Sequence, residues 1–209
     1  MFNTVIFDVD GTLIDTEYVY VHSLQQTLQE VQHRTVPAED LLFILGIPGM
    51  RALEKFTADP KERQHLFAVW LGHAAALKDH ATVYPGIHDT LAALHAQGVT
   101  VGVATSKIHE EMQTEITRFG FQGAFDIVVT ADMTAKHKPD PAPLLAVMAQ
   151  LPETARAVYI GDAAPDLAAA HAARLPFALA EWGAHDAGQF AAADYRLAHP
   201  RDILPLVRS

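Results

Sequence analysis

Two aspartates one residue apart, Asp8 and Asp10, close an apolar run and are followed at once by a glycine. Val5-Ile6-Phe7 has no polar alternation, which is what a parallel strand covered on both faces requires. The carboxylates therefore fall at that strand's C-terminal end, where open α/β sheets hold their ligands. Gly11 permits a sharp turn just beyond. Two carboxylates this close repel each other unless a cation lies between them, and an oxygen-only donor set favours a hard ion such as Mg2+. Alone, Asp-x-Asp-Gly also fits a strand leading into an Asx-type turn, so its weight depends on the residues further along the chain.

Three further polar sets come after other expected strands. Residues 99–104 are β-rich and end in Thr105-Ser106-Lys107. A short strand over 125–129 leads into a loop carrying Lys138-Pro139-Asp140-Pro141. Residues 157–160 end in Gly161-Asp162, with Asp166 one helical turn on. In a parallel sheet these ends share one edge, and together they suit phosphoryl transfer, which needs positioning and charge neutralisation. Asp8 is ionised at neutral pH and can attack phosphorus directly. Asp10 is placed to protonate the leaving oxygen and later to take a proton from water. Gly11, Thr105 and Ser106, with nearby backbone amides, are candidates to hold phosphoryl oxygens. Lys138 offsets negative charge on the nucleophile and the transferred group. Asp162 and Asp166 join Asp8 and Asp10 as candidate Mg2+ ligands, directly or through water. Each set has an ordinary reading as well: a helix cap, a loop lysine, an acid in a first helical turn. Their occurrence in order, each at an expected strand end, favours the joint site.

The elements that must position these groups alternate. Asp15-Thr16-Glu17 starts a helix with Val21, Leu24, Leu28 and Val31 on one face, and Thr35-Val36-Pro37 breaks it. A short helix over 38–45 ends at Gly46-Ile47-Pro48-Gly49. Asp59 caps another that begins at Pro60. Residues 15–81 thus read as helical without a strand, set inside a chain that otherwise alternates strand and helix. After Tyr84-Pro85-Gly86 come a helix with Ile87, Leu91 and Leu94 on one stripe, and a later one with Ile108, Met112, Ile116 and Phe119. Asp140 and Pro141 are expected to open a helix, and Pro165 another. Residues 175–180 read as the last parallel strand, with a short strand near 195–198 and a terminal helix after Pro200. The sum is an α/β fold with a parallel sheet, helices on both faces and a helical insertion.

Bulk properties narrow the class. The 209 residues are half hydrophobic and contain no cysteine, which excludes disulfides and thiolate chemistry. A formal net charge of −10 opposes broad contact with nucleic acid or anionic membrane. No apolar run is long enough to span a bilayer, and the N-terminus has no signal-type pattern, so a cytoplasmic enzyme is expected. The twelve histidines are scattered without metal-ligand spacing, and most of them read as surface or interfacial groups.

Asp8-Val9-Asp10-Gly11-Thr12-Leu13, Thr105, Lys138-Pro139 and Gly161-Asp162-Ala163-Ala164-Pro165-Asp166 together resemble the four motifs of the haloacid dehalogenase-like (HAD) hydrolases, over nearly the whole chain. The resemblance implies a Rossmann-like three-layer sandwich from residues 1–14 and 82–209. It also implies a small all-α cap at 15–81, an Mg2+ cofactor, and hydrolysis of a small phosphorylated metabolite through an aspartyl phosphate. Trp182-Gly183 resembles a late loop of phosphoglycolate phosphatase-like members, so phosphoglycolate-like monoesters are the first expected substrates. Pyrophosphate and nucleotides are the alternatives. The second motif-one aspartate argues against dehalogenation, and Thr12 with Tyr20 against a sugar-phosphate mutase. A silent binding protein on this fold is the rival from another class. Ala163 stands where the motif usually carries Ser or Thr. Gly46-Ile47-Pro48-Gly49-Met50-Arg51 is similar to the family's substrate-facing cap loop, and Arg51 is its one cation, suited to a carboxylate or second phosphate.

Overall fold

The computed structural model describes residues 1–185 and 187–208. It divides the chain into two compact units, Met1–Ile14 with Val83–Ser209, and Asp15–Thr82.

The larger unit is built on a six-stranded sheet. Its strands are β1 (Thr4–Phe7), β4 (Thr100–Ala104), β5 (Ile127–Val129), β6 (Ala157–Gly161), β7 (Phe177–Ala180) and β8 (Tyr195–Leu197). Two-residue strands β2 (Ile14–Asp15) and β3 (Thr82–Val83) pair separately. The order across the main sheet is β5-β4-β1-β6-β7-β8, and every adjacent pair is parallel. The last parallel strand is therefore β8, beyond the expected one. Phe7 is in register with Val103 on one side and Ile160 on the other, so β1, β4 and β6 end level. The chain runs outward from β1 through β4 to β5, then crosses back to β6. That reversal makes the C-terminal ends around β1 the topological switch point, where such sheets bind ligands.

Strand alternation sends Ile6, Ala104, Val129, Tyr159, Phe177 and Leu179 into one buried cluster. Leu144 and Val147 of α6 (Ala142–Met148) and Ala169 and Ala170 of α7 (Ala164–Ala172) complete it. The alanines bring α7 close to the sheet. Val5, Phe7, Val101, Val103, Val158 and Ile160 point to the opposite face and are equally buried. Helices α4 (Ile87–Ala96) and α5 (His109–Arg118) come after β3 and β4 in the chain. Two expectations shift here. Ile108 does not belong to the buried face of α5: it precedes the helix and is 45% exposed, because the chain must still leave the strand end. Helix α6 begins at Ala142, one residue later than the Asp140–Pro141 reading, though the Asp140 carboxylate still accepts the Ala142 N–H at 3.0 Å. The C-terminal stretch Pro200–Leu206 is 3-10 rather than α-helical.

The smaller unit contains α1 (Glu17–Gln32), α2 (Gly49–Ala52) and α3 (Pro60–Leu77), with a 3-10 segment Ala38–Ile44. Val21, Leu24 and Leu28 of α1 pack with Leu41, Leu53, Leu66 and Trp70 into a core of its own. Asp59 caps α3 by accepting from the Lys61 N–H, with Pro60 in the first turn. The Trp70 indole N–H reaches Ser23 Oγ at 2.8 Å, so the one polar atom of that ring is satisfied inside the core.

Candidate active site

Asp8 comes directly after β1, and its N–H still donates to Ile160 O at 2.9 Å as if the ladder continued. Its carboxylate is thereby held at the sheet edge, 3% exposed. Lys138, from the loop after β5, lies between two acids: its Nζ is 2.8 Å from Asp8 Oδ1 and 2.7 Å from Asp166 Oδ1. It also donates to Tyr159 Oη at 3.1 Å, and that hydroxyl donates to Asp166 Oδ1 at 2.9 Å. The other oxygen of Asp166 accepts the Ala163 N–H at 3.0 Å. Asp162, at the end of β6, accepts from Thr12 Oγ1 at 2.7 Å.

Gly11 makes this assembly possible. It sits at φ +79°, and a Cβ there would fall 2.2 Å from Asp162 Oδ2. The turn it forms brings Thr12 beneath Asp162. The loop after β7 closes over the same turn: Trp182 Nε1 donates to Thr12 O at 2.9 Å. A Cβ on Gly183 would lie 1.7 Å from Gly11 O.

Asp8, Asp162 and Asp166 each offer a carboxylate oxygen within 4.8 Å of the others, and all are buried. With all three carboxylates ionised, the Lys138 ammonium would leave two negative charges in excess. Burial pushes Asp8 up to about 7, with Asp166 and Asp10 adding to the shift and Lys138 opposing it. Burial also raises Asp162 well above the usual carboxylate range, with Asp166 and Asp8 contributing. Burial works against the Lys138 ammonium, but Asp166 and Asp8 outweigh it and hold its pKa above the ordinary lysine value. A set of hard oxygen donors with two uncompensated charges fits a divalent cation of the hard class.

The Asp10 carboxylate lies outside this group. Its Oδ1 is 3.0 Å from Lys107 Nζ, in the geometry of an ion pair rather than a hydrogen bond. Thr105 is buried after β4, and its Oγ1 accepts the Lys107 N–H at 3.1 Å. Ser106 Oγ is buried without a hydrogen-bond partner among the described residues, a polar atom with capacity to spare. Arg51 is exposed on α2 of the helical unit. Asp8, Asp10, Gly11, Thr105, Ser106, Lys138, Asp162 and Asp166 all belong to the sheet unit; Asp8, Thr105 and Asp162 directly follow β1, β4 and β6, Lys138 comes from the loop after β5, and Asp166 lies in the first turn of α7. Two charged residues of the same region, Lys107 and Glu115, carried no sequence signal beyond their place after β4 and on α5.

The chain matches the model of the haloacid dehalogenase-like hydrolases over residues 5–180. It belongs to that family. Curated relatives include "Probable phosphatase IndB" of Dickeya dadantii, 32% identical over 91% of this chain and 86% of that protein. Pyrophosphatase PpaX of Halalkalibacterium halodurans is 29% identical over 79% and 77%, and phosphoglycolate phosphatase of Aquifex aeolicus 29% identical over 97% and 95%. Among solved structures, a HAD-superfamily hydrolase of subfamily IA, variant 1, from Geobacter sulfurreducens superposes with a TM-score of 0.72 at 25% identity, covering 98% of this chain and 97% of its own. The parallel sheet with flanking helices is thus the HAD Rossmann-like fold. Among the described residues, no helix is long and apolar enough to cross a membrane.

Proposed function

We propose that this HAD hydrolase is an Mg2+-dependent phosphatase for small phosphorylated metabolites, working through an aspartyl phosphate on Asp8. The observation that carries the reading is the buried Asp8 carboxylate, 2.8 Å from the Lys138 ammonium and beside Asp162 and Asp166. A nucleophile so placed meets a phosphate dianion only if cations neutralise the approach. Mg2+, held by Asp8 and Asp162 with Asp166 directly or through water, would supply that neutralisation. Asp166 is the more engaged of the two downstream acids, since Lys138, Tyr159 and Ala163 already donate to it. Its main work in this reading is to hold Lys138.

In the first step Asp8 attacks phosphorus, the ester P–O bond breaks and Asp10 gives a proton to the leaving oxygen. In the second step Asp10 takes a proton from water, the water oxygen attacks phosphorus and the bond to Asp8 breaks, releasing phosphate. Thr105 and Ser106, in the loop between β4 and α5, with Gly11 keeping the turn open, hold the phosphoryl oxygens. The helical unit supplies substrate choice, with Arg51 as its cation for a second anionic group.

Two substrate classes remain in play, because the relatives include a phosphoglycolate phosphatase and a pyrophosphatase. Hydrolysis of p-nitrophenyl phosphate, phosphoglycolate, pyrophosphate and nucleoside monophosphates, each with and without Mg2+, separates them. We expect Mg2+-dependent turnover that falls by about 1,000-fold or more in Asp8→Asn, the scale of losing a group that acts only in the transition state. Equal turnover by both proteins would remove Asp8 as nucleophile and with it this mechanism.

A further inference from the structure

The proposed chemistry uses Lys138 but leaves a second buried ammonium without a task. Lys107 is 5% exposed at its side chain, with its Nζ 3.0 Å from Asp10 Oδ1 and 3.6 Å from Glu115 Oε1. Its backbone is fixed on both sides: the N–H donates to Thr105 Oγ1 at 3.1 Å, and the carbonyl accepts from the Ala131 N–H at 2.8 Å. Glu115 lies on α5, on the stretch where the hydrophobic stripe would place another apolar side chain. It is only 17% exposed at its side chain. Burial raises the Glu115 pKa, and Lys107 pulls against that shift.

Burying an ion triad is a poor way to gain stability, because desolvation consumes most of the attraction. A chain that carries one at its reaction centre gains geometry instead. The centre contains carboxylates with opposite tasks two residues apart, one to attack phosphorus and one to move protons. The two ammonium groups divide them. Lys138 pairs with Asp8 and Asp166, and Lys107 pairs with Asp10 and Glu115.

We propose that Lys107 is a positioning residue that keeps the Asp10 carboxylate apart from the Asp8–Asp162–Asp166 cluster and aimed for proton transfer, with Glu115 fixing Lys107 in turn. This rests on the phosphatase reading above. It requires no contact between Lys107 and substrate, so its effect must pass through Asp10.

The test compares leaving groups. Nitrophenolate departs without a proton, whereas an alkoxide needs the one Asp10 provides. Lys107→Met is expected to slow single-turnover cleavage of an alkyl monoester by about 100-fold, the lower range for loss of a general acid, with KM little changed. With p-nitrophenyl phosphate it should release one nitrophenolate per active site in a burst and then turn over slowly, because the phosphorylated Asp8 waits for its water. Lys107→Arg should recover most of the rate. Added to Asp10→Asn, Lys107→Met should cost nothing further, since the two act as one unit. Glu115→Gln leaves the ammonium in place and should give the same signature in weaker form; it carries the test if circular dichroism shows Lys107→Met to be misfolded. Equal losses for both leaving groups in the single-turnover release step, a change confined to KM, or losses that multiply in the Asp10→Asn background would overturn the proposal. A wild type that hydrolyses no monoester would remove the phosphatase reading and this one together. An active wild type with an unaffected Lys107→Met would remove this one alone.

Discussion

At the scale of the residue, the buried carboxylates make the protein's stability depend on pH with a definite sign. Asp8 has its pKa raised to about 7 from 3.8, and Asp162 moves in the same direction. In the range between those values the folded protein, without a divalent ion, holds protons that the unfolded chain has released. Stability therefore falls as pH rises through that window, by at most about 1.4 kcal/mol per pH unit for each such proton. Glu62, Asp132 and Asp140, whose values are lowered, act in the opposite sense, and their effect is confined to the acidic end of the window and below. In EDTA the melting temperature should decline from pH 5 to pH 7.5, and Asp8→Asn should flatten that decline. Excess Mg2+ should stabilise most at the upper end, where it replaces the fewest protons. A melting temperature in EDTA that rises across this range, or a slope identical in Asp8→Asn, would contradict the burial-driven shift.

Elements explain why those residues meet. Strand ends were legible in the sequence because an apolar run that stops at a carboxylate, a hydroxyl or a glycine has few other readings. That was enough to locate Asp8, Thr105, Asp162 and the helix after Pro165. The parts that were not legible depend on contacts between segments distant in the chain. Hydrophobic period placed Ile108 on the buried face of α5, and the structure exposes it and buries much of Glu115 instead. The role of Lys107 depends on Asp10, which lies nearly a hundred residues away in the chain and 3.0 Å away in the fold. The physical reason for Trp182-Gly183 is the packing of their loop against the Gly11–Thr12 turn, a contact that no local pattern encodes. That contact yields a prediction. A methyl group at 183 would meet the Gly11 carbonyl, so Gly183→Ala must displace either the loop after β7 or the turn that carries Thr12 to Asp162. The expected cost is roughly 1–3 kcal/mol in urea unfolding, as for other overpacked sites, together with lost turnover. Trp182→Phe keeps an aromatic ring but loses the indole N–H and part of the indole's volume, so it should cost about 1 kcal/mol or more. Wild-type stability and turnover in Gly183→Ala would mean that the loop does not hold the turn.

At the scale of the whole molecule, the proposed function assigns chemistry to the sheet unit and substrate choice to the helical unit, and the second assignment can be tested separately. The sheet unit contains eight of the candidate groups, those at or just beyond its strand ends and Lys138 in the loop after β5. The helical unit has its own core of Leu24, Leu28, Leu41, Leu53, Leu66 and Trp70, and Arg51 is exposed outside it. Arg51→Ala should therefore leave stability within about 0.5 kcal/mol of wild type, as surface substitutions do. Function is another matter, because a formal net charge of −10 sets an anionic substrate against the field of the molecule as a whole. Capture then depends on local cations, and a substrate with a second anionic group has more to gain from one. If Arg51 meets that group, Arg51→Ala should raise KM for phosphoglycolate or pyrophosphate by about 10- to 100-fold, the worth of a hydrogen bond to a charged partner. It should leave p-nitrophenyl phosphate, which has no second anion, nearly unchanged. The two substrates compared in one variant decide the matter: a loss shared equally would assign Arg51 to the general behaviour of the helical unit, and no loss on either would remove it from substrate recognition.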